Sequence, residues 1–355
     1  MTMIRTLAKR QLGFASHLSP RRRGFASGLA VVVAVATASL SMSGCRIDGG
    51  AVLPCYAIVY GVADYNGATG DLNFPDDDAI DMAALLTANG YTVTLRTNSE
   101  ATRSNLDLDF AAVAAVAEAD SRFVFYFAGH GFGDGMEANY SGLPTEWKEY
   151  FDAADSDQEP FGAGPYPDYI FFYDAMPITQ DVEASLAECA SDDELAALIR
   201  LVPSAQKMVI IDACHSGGFI GTTSSYDAVP RGYDGSGEGV SFVDLLSAMT
   251  LYLEYSGLKA TDIAEGEAIV LTAAGEQEFS YEYPLSAPID NGIFTHYLLQ
   301  AADFGDRNFD GVVTVSEAYR YTAEQITRIE NDSLAGDGKF FPRVSGGPVD
   351  FVLFR

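Results

Sequence analysis

Two short boxes in this chain carry side chains able to do nucleophilic chemistry. Asp212-Ala-Cys-His-Ser-Gly-Gly218 follows the apolar run Met208-Val-Ile-Ile211, and Gly129-His-Gly131 follows the apolar run Phe123-Val-Phe-Tyr-Phe127. A thiol attacks a carbonyl well only once ionised, and an imidazole within hydrogen-bond reach accepts its proton and later returns it to the leaving group. The spacing therefore makes Cys214 a candidate nucleophile and His130 its candidate base, with the glycines flanking His130 allowing backbone and substrate to approach closely. The tetrahedral intermediate needs donors aimed at its oxygen, and the backbone N–H groups of Gly131 and Cys214 are the natural pair at two strand ends. His215 competes as the base, but adjacent side chains on an extended segment point to opposite faces.

Apolar runs that end in such boxes read as strands of an open α/β sheet, where ligands and catalytic groups gather at the carboxyl ends. Strands are expected at 56–60, 91–95, 123–127, 169–173, 208–211, 268–272 and 349–353. Helices are expected after residue 78 with Ile80, Ala83, Ala84 and Leu85 on one face, around 108–119, over 192–201, near 242–253, and from Phe294 and Ser316. Strands alternating with helices predict a mainly parallel sheet with helices on both faces, a three-layer α/β sandwich. Residues 132–168 form a long polar insertion of the kind used as a binding loop.

The chain holds 50 acids against 21 bases, a formal charge of −29. That surface repels phosphate backbones and excludes nucleic acid as a partner, while basic peptides or cations suit it. The bases are uneven: Arg21-Arg-Arg23 leads into the apolar run Gly28–Leu40, and Ser43-Gly44-Cys45 closes it, the layout of an export signal over 1–44. The closing residues resemble a bacterial lipobox, with Met42 in place of the usual leucine, so Cys45 is a candidate for lipidation and residues 45–54 for a short tether holding the body at the membrane. Arg22-Arg-Gly-Phe25 is a loose match to a twin-arginine signal, and an uncleaved single-helix anchor is the alternative. Beyond Cys45 remain Cys55, Cys189 and Cys214, an odd number in a compartment that permits disulfides; Cys55 and Cys189 either pair with each other or sit as small buried hydrophobes.

A second constellation lies further on. Asp306-Arg-Asn308-Phe-Asp310-Gly311 and then Glu317 fit a twelve-residue calcium loop, 306–317, in which Asp306, Asn308, Asp310 and Glu317, the carbonyl of Val312, and Thr314 directly or through water would supply hard oxygen ligands for Ca²⁺. An Asp/Asn-rich turn capping the helix at Ser316 fits the same residues without a metal.

Taken together, the two boxes and several supporting segments (Phe74-Pro-Asp-Asp-Asp-Ala79, Phe-Ala-Gly-His-Gly at 127–131, Tyr173-Asp-Ala175, Leu271-Thr-Ala-Ala274 and Gly292-Ile-Phe-Thr295) resemble the caspase-like cysteine peptidases, in particular the bacterial metacaspase-like branch. The resemblance runs from Tyr56 to Phe354 and implies a caspase-like domain over 55–355, with Cys214 as nucleophile, His130 as general base and acid, and no obligatory third side chain. It also implies that Asp212, joined by a second pocket acid in the segment Gly275–Glu278, where the best-matching position is Gln277 between the candidate acids Glu276 and Glu278, accepts arginine or lysine ahead of the scissile bond; an ordinary strand-end carboxylate holding backbone N–H groups is the other reading of Asp212. Arg231, alone in the loop 222–240, is then a candidate for self-cleavage. The competing functional classes are a catalytically silent peptide-binding envelope lipoprotein on the same fold and a Ca²⁺-dependent structural lipoprotein.

Overall fold

The computed structural model describes residues 45–46, 52–66, 70–132, 168–175, 186–213, 268–275, 278, 280–285, 287–331, 339–344 and 350–355. Cys45–Arg46 (β1) and Val52–Leu53 (β2) pair antiparallel, so the proposed tether doubles back on itself. Then follow Cys55–Gly61 (β3), helix Pro75–Ala88 (α1), Thr92–Thr97 (β4), helix Arg103–Ala114 (α2), Arg122–Ala128 (β5), Gly131–Phe132 (β6), Tyr169–Phe171 (β7) and Cys189–Ser191 (β8). The remainder is helix Asp192–Leu201 (α3), Gln206–Asp212 (β9), Ile269–Thr272 (β10), helix Ile293–Phe304 (α4), Val313–Thr314 (β11), helix Val315–Gln325 (α5), Arg343–Val344 (β12) and Val352–Phe354 (β13).

The main sheet has the order β12-β10-β9-β5-β3-β4. Its five inner and edge strands from β10 to β4 run parallel, and β12 closes one edge antiparallel to β10. Side chains alternate along each strand, so one sequence supplies two cores. Ile58, Tyr60, Phe123, Phe125, Phe127, Val209, Ile211 and Val270 face Leu106, Phe110 and Val113 of α2 and Leu195, Ala196 and Ile199 of α3. Ala57, Val59, Val124, Tyr126, Met208, Ile210, Ile269 and Leu271 face α1, α4 and α5 through Met82, Leu86, Phe294, Leu298 and Ala318. The three-layer α/β arrangement expected from the alternation of strands and helices is what forms.

Particular elements depart from expectation. The buried face of α1 is Pro75, Asp78, Ala79, Met82, Ala83 and Leu86, while Ile80 is 47% exposed, so of the expected face only Ala83 is buried. Helix α2 starts at Arg103, well before Leu108, because Thr102 caps it by accepting from Asn105 N. Residues Tyr169–Phe171 join β6 and β8 in a small antiparallel sheet of their own. The last strand lies at Val352–Phe354 and pairs with β11. Cys55 is disulfide-bonded and Cys189 is a buried thiol outside any disulfide, so the pairing of these two left open by the sequence is not formed. The helix expected near 242–253 and most of the 132–168 insertion lie outside the described residues.

Candidate active site

Register places the site. Gly61, Ala128 and Asp212 are direct partners at the carboxyl ends of β3, β5 and β9, and Gly129 N donates to Asp212 O at 3.1 Å just beyond. His130 comes two residues after Ala128 in its segment, as Cys214 comes two residues after Asp212 in the next. Cys214, Arg231 and Glu276 lie outside the described residues, as does the side chain of Cys45.

His130 is buried, 2% exposed, and is gripped at three points. Its Nε2 lies 2.6 Å from Gly70 O. A carbonyl oxygen can only accept, so Nε2 carries the proton in that bond and Nδ1 of the neutral ring is left as the basic nitrogen. Its backbone N–H donates to Tyr65 Oη at 2.8 Å. Its ring stacks on the Tyr65 ring, centroids 5.1 Å apart and planes at 30°. The loop carrying Tyr65 and Gly70 is itself clasped, with Tyr65 N donating to Asp71 Oδ1 at 3.1 Å and Leu72 N to Ala63 O at 2.9 Å. Gly129 has φ +154° and no room for a side chain: a Cβ there would lie 2.8 Å from Tyr65 Oη and 2.9 Å from Phe127 Cζ. That accounts for the first glycine of the box. Gly131 opens β6, opposite Ile170.

Asp212 is buried at the end of β9 and receives three donors: Ser280 Oγ at 2.6 Å, Thr295 Oγ1 at 2.6 Å and Thr295 N at 3.2 Å. Since the Thr295 hydroxyl donates to Asp212, Tyr126 Oη donates to Thr295 Oγ1 at 2.6 Å, extending the chain into the core. Thr295 N belongs to the first turn of α4, whose positive end favours negative charge.

Asp78, which the sequence did not single out, comes from the first turn of α1 and accepts from Gly292 N at 3.0 and 3.2 Å. A Cβ on Gly292 would lie 3.0 Å from a carboxylate oxygen of both Asp78 and Asp212, so the two acids close on the same point. Burial raises the Asp78 pKa well above the ordinary carboxylate range and the charge of Asp212 raises it further. Burial raises Asp212 too, but its Ser280 and Thr295 donors pull back. Asp212 therefore has the better-stabilised charged form of the two, and Asp78 is pushed further toward its neutral form. Glu282, also raised by burial, lies close by, taking the N–H groups of Asn73 and Phe74 at the start of α1 at 2.9 to 3.2 Å.

Glu278, expected as a pocket acid, is committed elsewhere. It accepts from Gly275 N at 3.0 Å and Phe341 N at 2.6 Å, and pairs with Arg343 at 2.7 Å. The cation neutralises it and ties the turn after β10 to β12; Asp78 occupies the place beside Asp212 instead. The signal for Asp78 was weak, because Asp76-Asp77-Asp78 differ only in the phase of the helix they open.

The calcium-loop residues lie between α4 and α5. Gly311 makes the sharp turn with φ +83°. Asp306 accepts from Asp310 N and Gly311 N, Asn308 Oδ1 from Asp310 N, and Asp310 Oδ1 from Val312 N. Thr314 and Glu317 form a reciprocal capping box on α5, so Glu317 faces the helix cap and not Asp306. Among the described residues no group of three or more His, Cys, Asp or Glu side chains is gathered as a metal site.

The family model Peptidase_C14, described as the caspase domain, matches residues 54–332. No curated protein matches the chain. Among solved structures it is similar to protein GSU0716 from Geobacter sulfurreducens, with a TM-score of 0.50 at 20% identity over 84% of this chain and 95% of that one. It also aligns with caspase-1 from Spodoptera frugiperda, at a TM-score of 0.48 and 10% identity over 85% of this chain and 92% of that one. With the family model spanning most of its length, and the parallel sheet presenting the histidine box at a strand end, the chain belongs to the caspase-domain family of cysteine peptidases.

Proposed function

We propose that the protein is a cysteine endopeptidase in which Cys214 attacks the peptide carbonyl and His130 shuttles the proton. The observation that carries this reading is the 2.6 Å contact between His130 Nε2 and Gly70 O: a carbonyl can only accept, which puts the proton on Nε2 and makes Nδ1 the basic nitrogen of the neutral ring. The Cys214 thiol gives its proton to Nδ1, the sulfur bonds to the carbonyl carbon, and the oxyanion is met by the N–H groups of Gly131 and Cys214. Collapse expels the amine, which takes the proton from His130. Water, deprotonated by the same nitrogen, then hydrolyses the thioester and releases the free thiol.

Cleavage after arginine or lysine is supported by Asp78 and Asp212. Two buried carboxylates at one point gain most from a cation brought beside them with water excluded. Release into an oxidising compartment through residues 1–44 is supported by the disulfide at Cys55. Binding of Ca²⁺ in the loop 306–317 is supported by the helix-loop-helix arrangement and the turn at Gly311. The donor set suits a hard cation, and Glu317 would have to leave the α5 cap to join it.

Hydrolysis of a fluorogenic arginyl peptide tests the reading. The wild type is expected to release fluorophore while Cys214→Ala and His130→Ala lose at least about a thousandfold in kcat. Equal, background rates in all three would leave a peptide-holding protein instead.

A further inference from the structure

We propose that Tyr65 is the positioning residue of His130, holding the main chain through its hydroxyl and the imidazole through its ring; this rests on the peptidase reading above. The residue is 2% exposed, and its Oη accepts the His130 N–H at 2.8 Å while donating to Phe171 O at 3.4 Å. One side chain thereby links the β3–α1 loop, the histidine box and β7. A Cβ on Gly129 would lie 2.8 Å from this hydroxyl, so the residue before His130 has room for none. The ring stacks on the imidazole with centroids 5.1 Å apart and planes 30° apart, turning the face of the phenol toward it. Such a face favours a cation over a neutral ring, so stacking stabilises imidazolium, the form His130 takes after accepting the thiol proton. The loop that carries Tyr65 also brings Gly70 O to Nε2. Main chain, ring plane and the hydrogen bond at Nε2 of His130 are thus set by two residues, Tyr65 and Gly70, of which Tyr65 supplies the side chain.

Tyr65→Phe and Tyr65→Leu in the full chain separate the two contributions. Phenylalanine keeps the stack and removes the acceptor, and should lower kcat about fivefold to tenfold with KM within about twofold, the loss of one buried hydrogen bond. Leucine removes both. It should cut kcat further and lower the His130 midpoint, followed by NMR of the ring and assigned with His130→Ala, by about half a unit or more, shifting the acidic limb of kcat/KM equally. A residue that only filled space would change the melting temperature and leave the midpoint and the limb of the folded protein where they were. Midpoint and limb unchanged in the leucine variant overturn the proposal; if that variant does not fold, an unchanged kcat in Tyr65→Phe does so. A wild type that cleaves nothing refutes the peptidase reading, and the NMR midpoint still decides whether Tyr65 holds His130.

Discussion

Asp78 and Asp212 close on the same glycine, yet their donors differ, and that difference gives two distinct expectations at the scale of the residue. For Asp78 the folded pKa is raised above the unfolded value of 3.8, by burial first and then by Asp212. Below that value both states are protonated and its contribution to stability is fully present. As pH rises the unfolded chain ionises first, and stability is drained until the folded pKa is passed. Asp78→Asn should therefore melt a few degrees above wild type at pH 7, with the difference shrinking toward zero at pH 4, as read by calorimetry; a larger gain at pH 4 than at pH 7 would contradict the raised pKa. Asp212 has the better-stabilised charge, so Asp212→Asn should lower kcat/KM for an arginyl peptide about a hundredfold or more, the scale of about 3 kcal/mol for a desolvated ion pair, while an uncharged residue at the same place in the peptide suffers much less. The sequence made Asp212 legible because it ends an apolar strand beside the cysteine. Asp78 stayed hidden among three successive acids, and the packing of α1 that buries it exposes Ile80.

At the scale of elements, legibility follows how sharply the ends are marked. Ser191 and Glu194 form a capping box on α3, and that helix lies where the sequence placed it. Alanines after Leu108 mark no face, so α2 was read late; its position is fixed by Leu106, Phe110 and Val113 in the core and by Arg96, which grips Asp109 at 2.8 and 2.9 Å. Strands β8 and β12, two or three residues long, carry too little pattern to be seen. The loop between α4 and α5 shows one sequence serving two physical ends. Its Asp and Asn side chains satisfy backbone N–H groups and its Glu317 caps a helix, yet the same oxygens have the spacing of a calcium cage. Calcium at about a hundred times its dissociation constant should stabilise the protein by about 2.7 kcal/mol and raise its melting temperature by several degrees, an effect lost in Asp310→Ala. No heat on titration and an unmoved melting temperature would leave Thr314 and Glu317 as a cap alone.

Across the whole molecule, the sulfur inventory ties localisation to mechanism. The chain has four cysteines, of which Cys55 is disulfide-bonded and Cys189 is a thiol outside any disulfide. A nucleophilic Cys214 has to be reduced, and the partner sulfur of Cys55 lies outside the described residues; Cys45 is a candidate, and a disulfide and a lipid thioether on one sulfur exclude each other. Peptide mapping of the exported protein without reductant should join Cys45 to Cys55; a diacylglyceryl group on Cys45 would contradict that pairing. In the same preparation, active protein should show cleavage after Arg231 that is missing from Cys214→Ala, and an identical intact mass for both would remove self-processing. The parallel order of the sheet and its two apolar faces were legible from alternation alone, whereas the pairing of β13 with β11 depends on contacts between residues far apart in the chain.

The central claim, that Cys214 and His130 act as a pair, is tested most directly by the pH dependence of Cys214 alkylation with iodoacetamide, followed by mass spectrometry in wild type and His130→Ala. A thiol beside an imidazole that becomes a cation ionises early, so wild type should already be alkylated rapidly at pH 6 to 7, whereas the variant should react only as pH approaches the ordinary thiol value of about 8.5. Superimposable profiles with both midpoints at the ordinary value would mean that the imidazole does not address the sulfur.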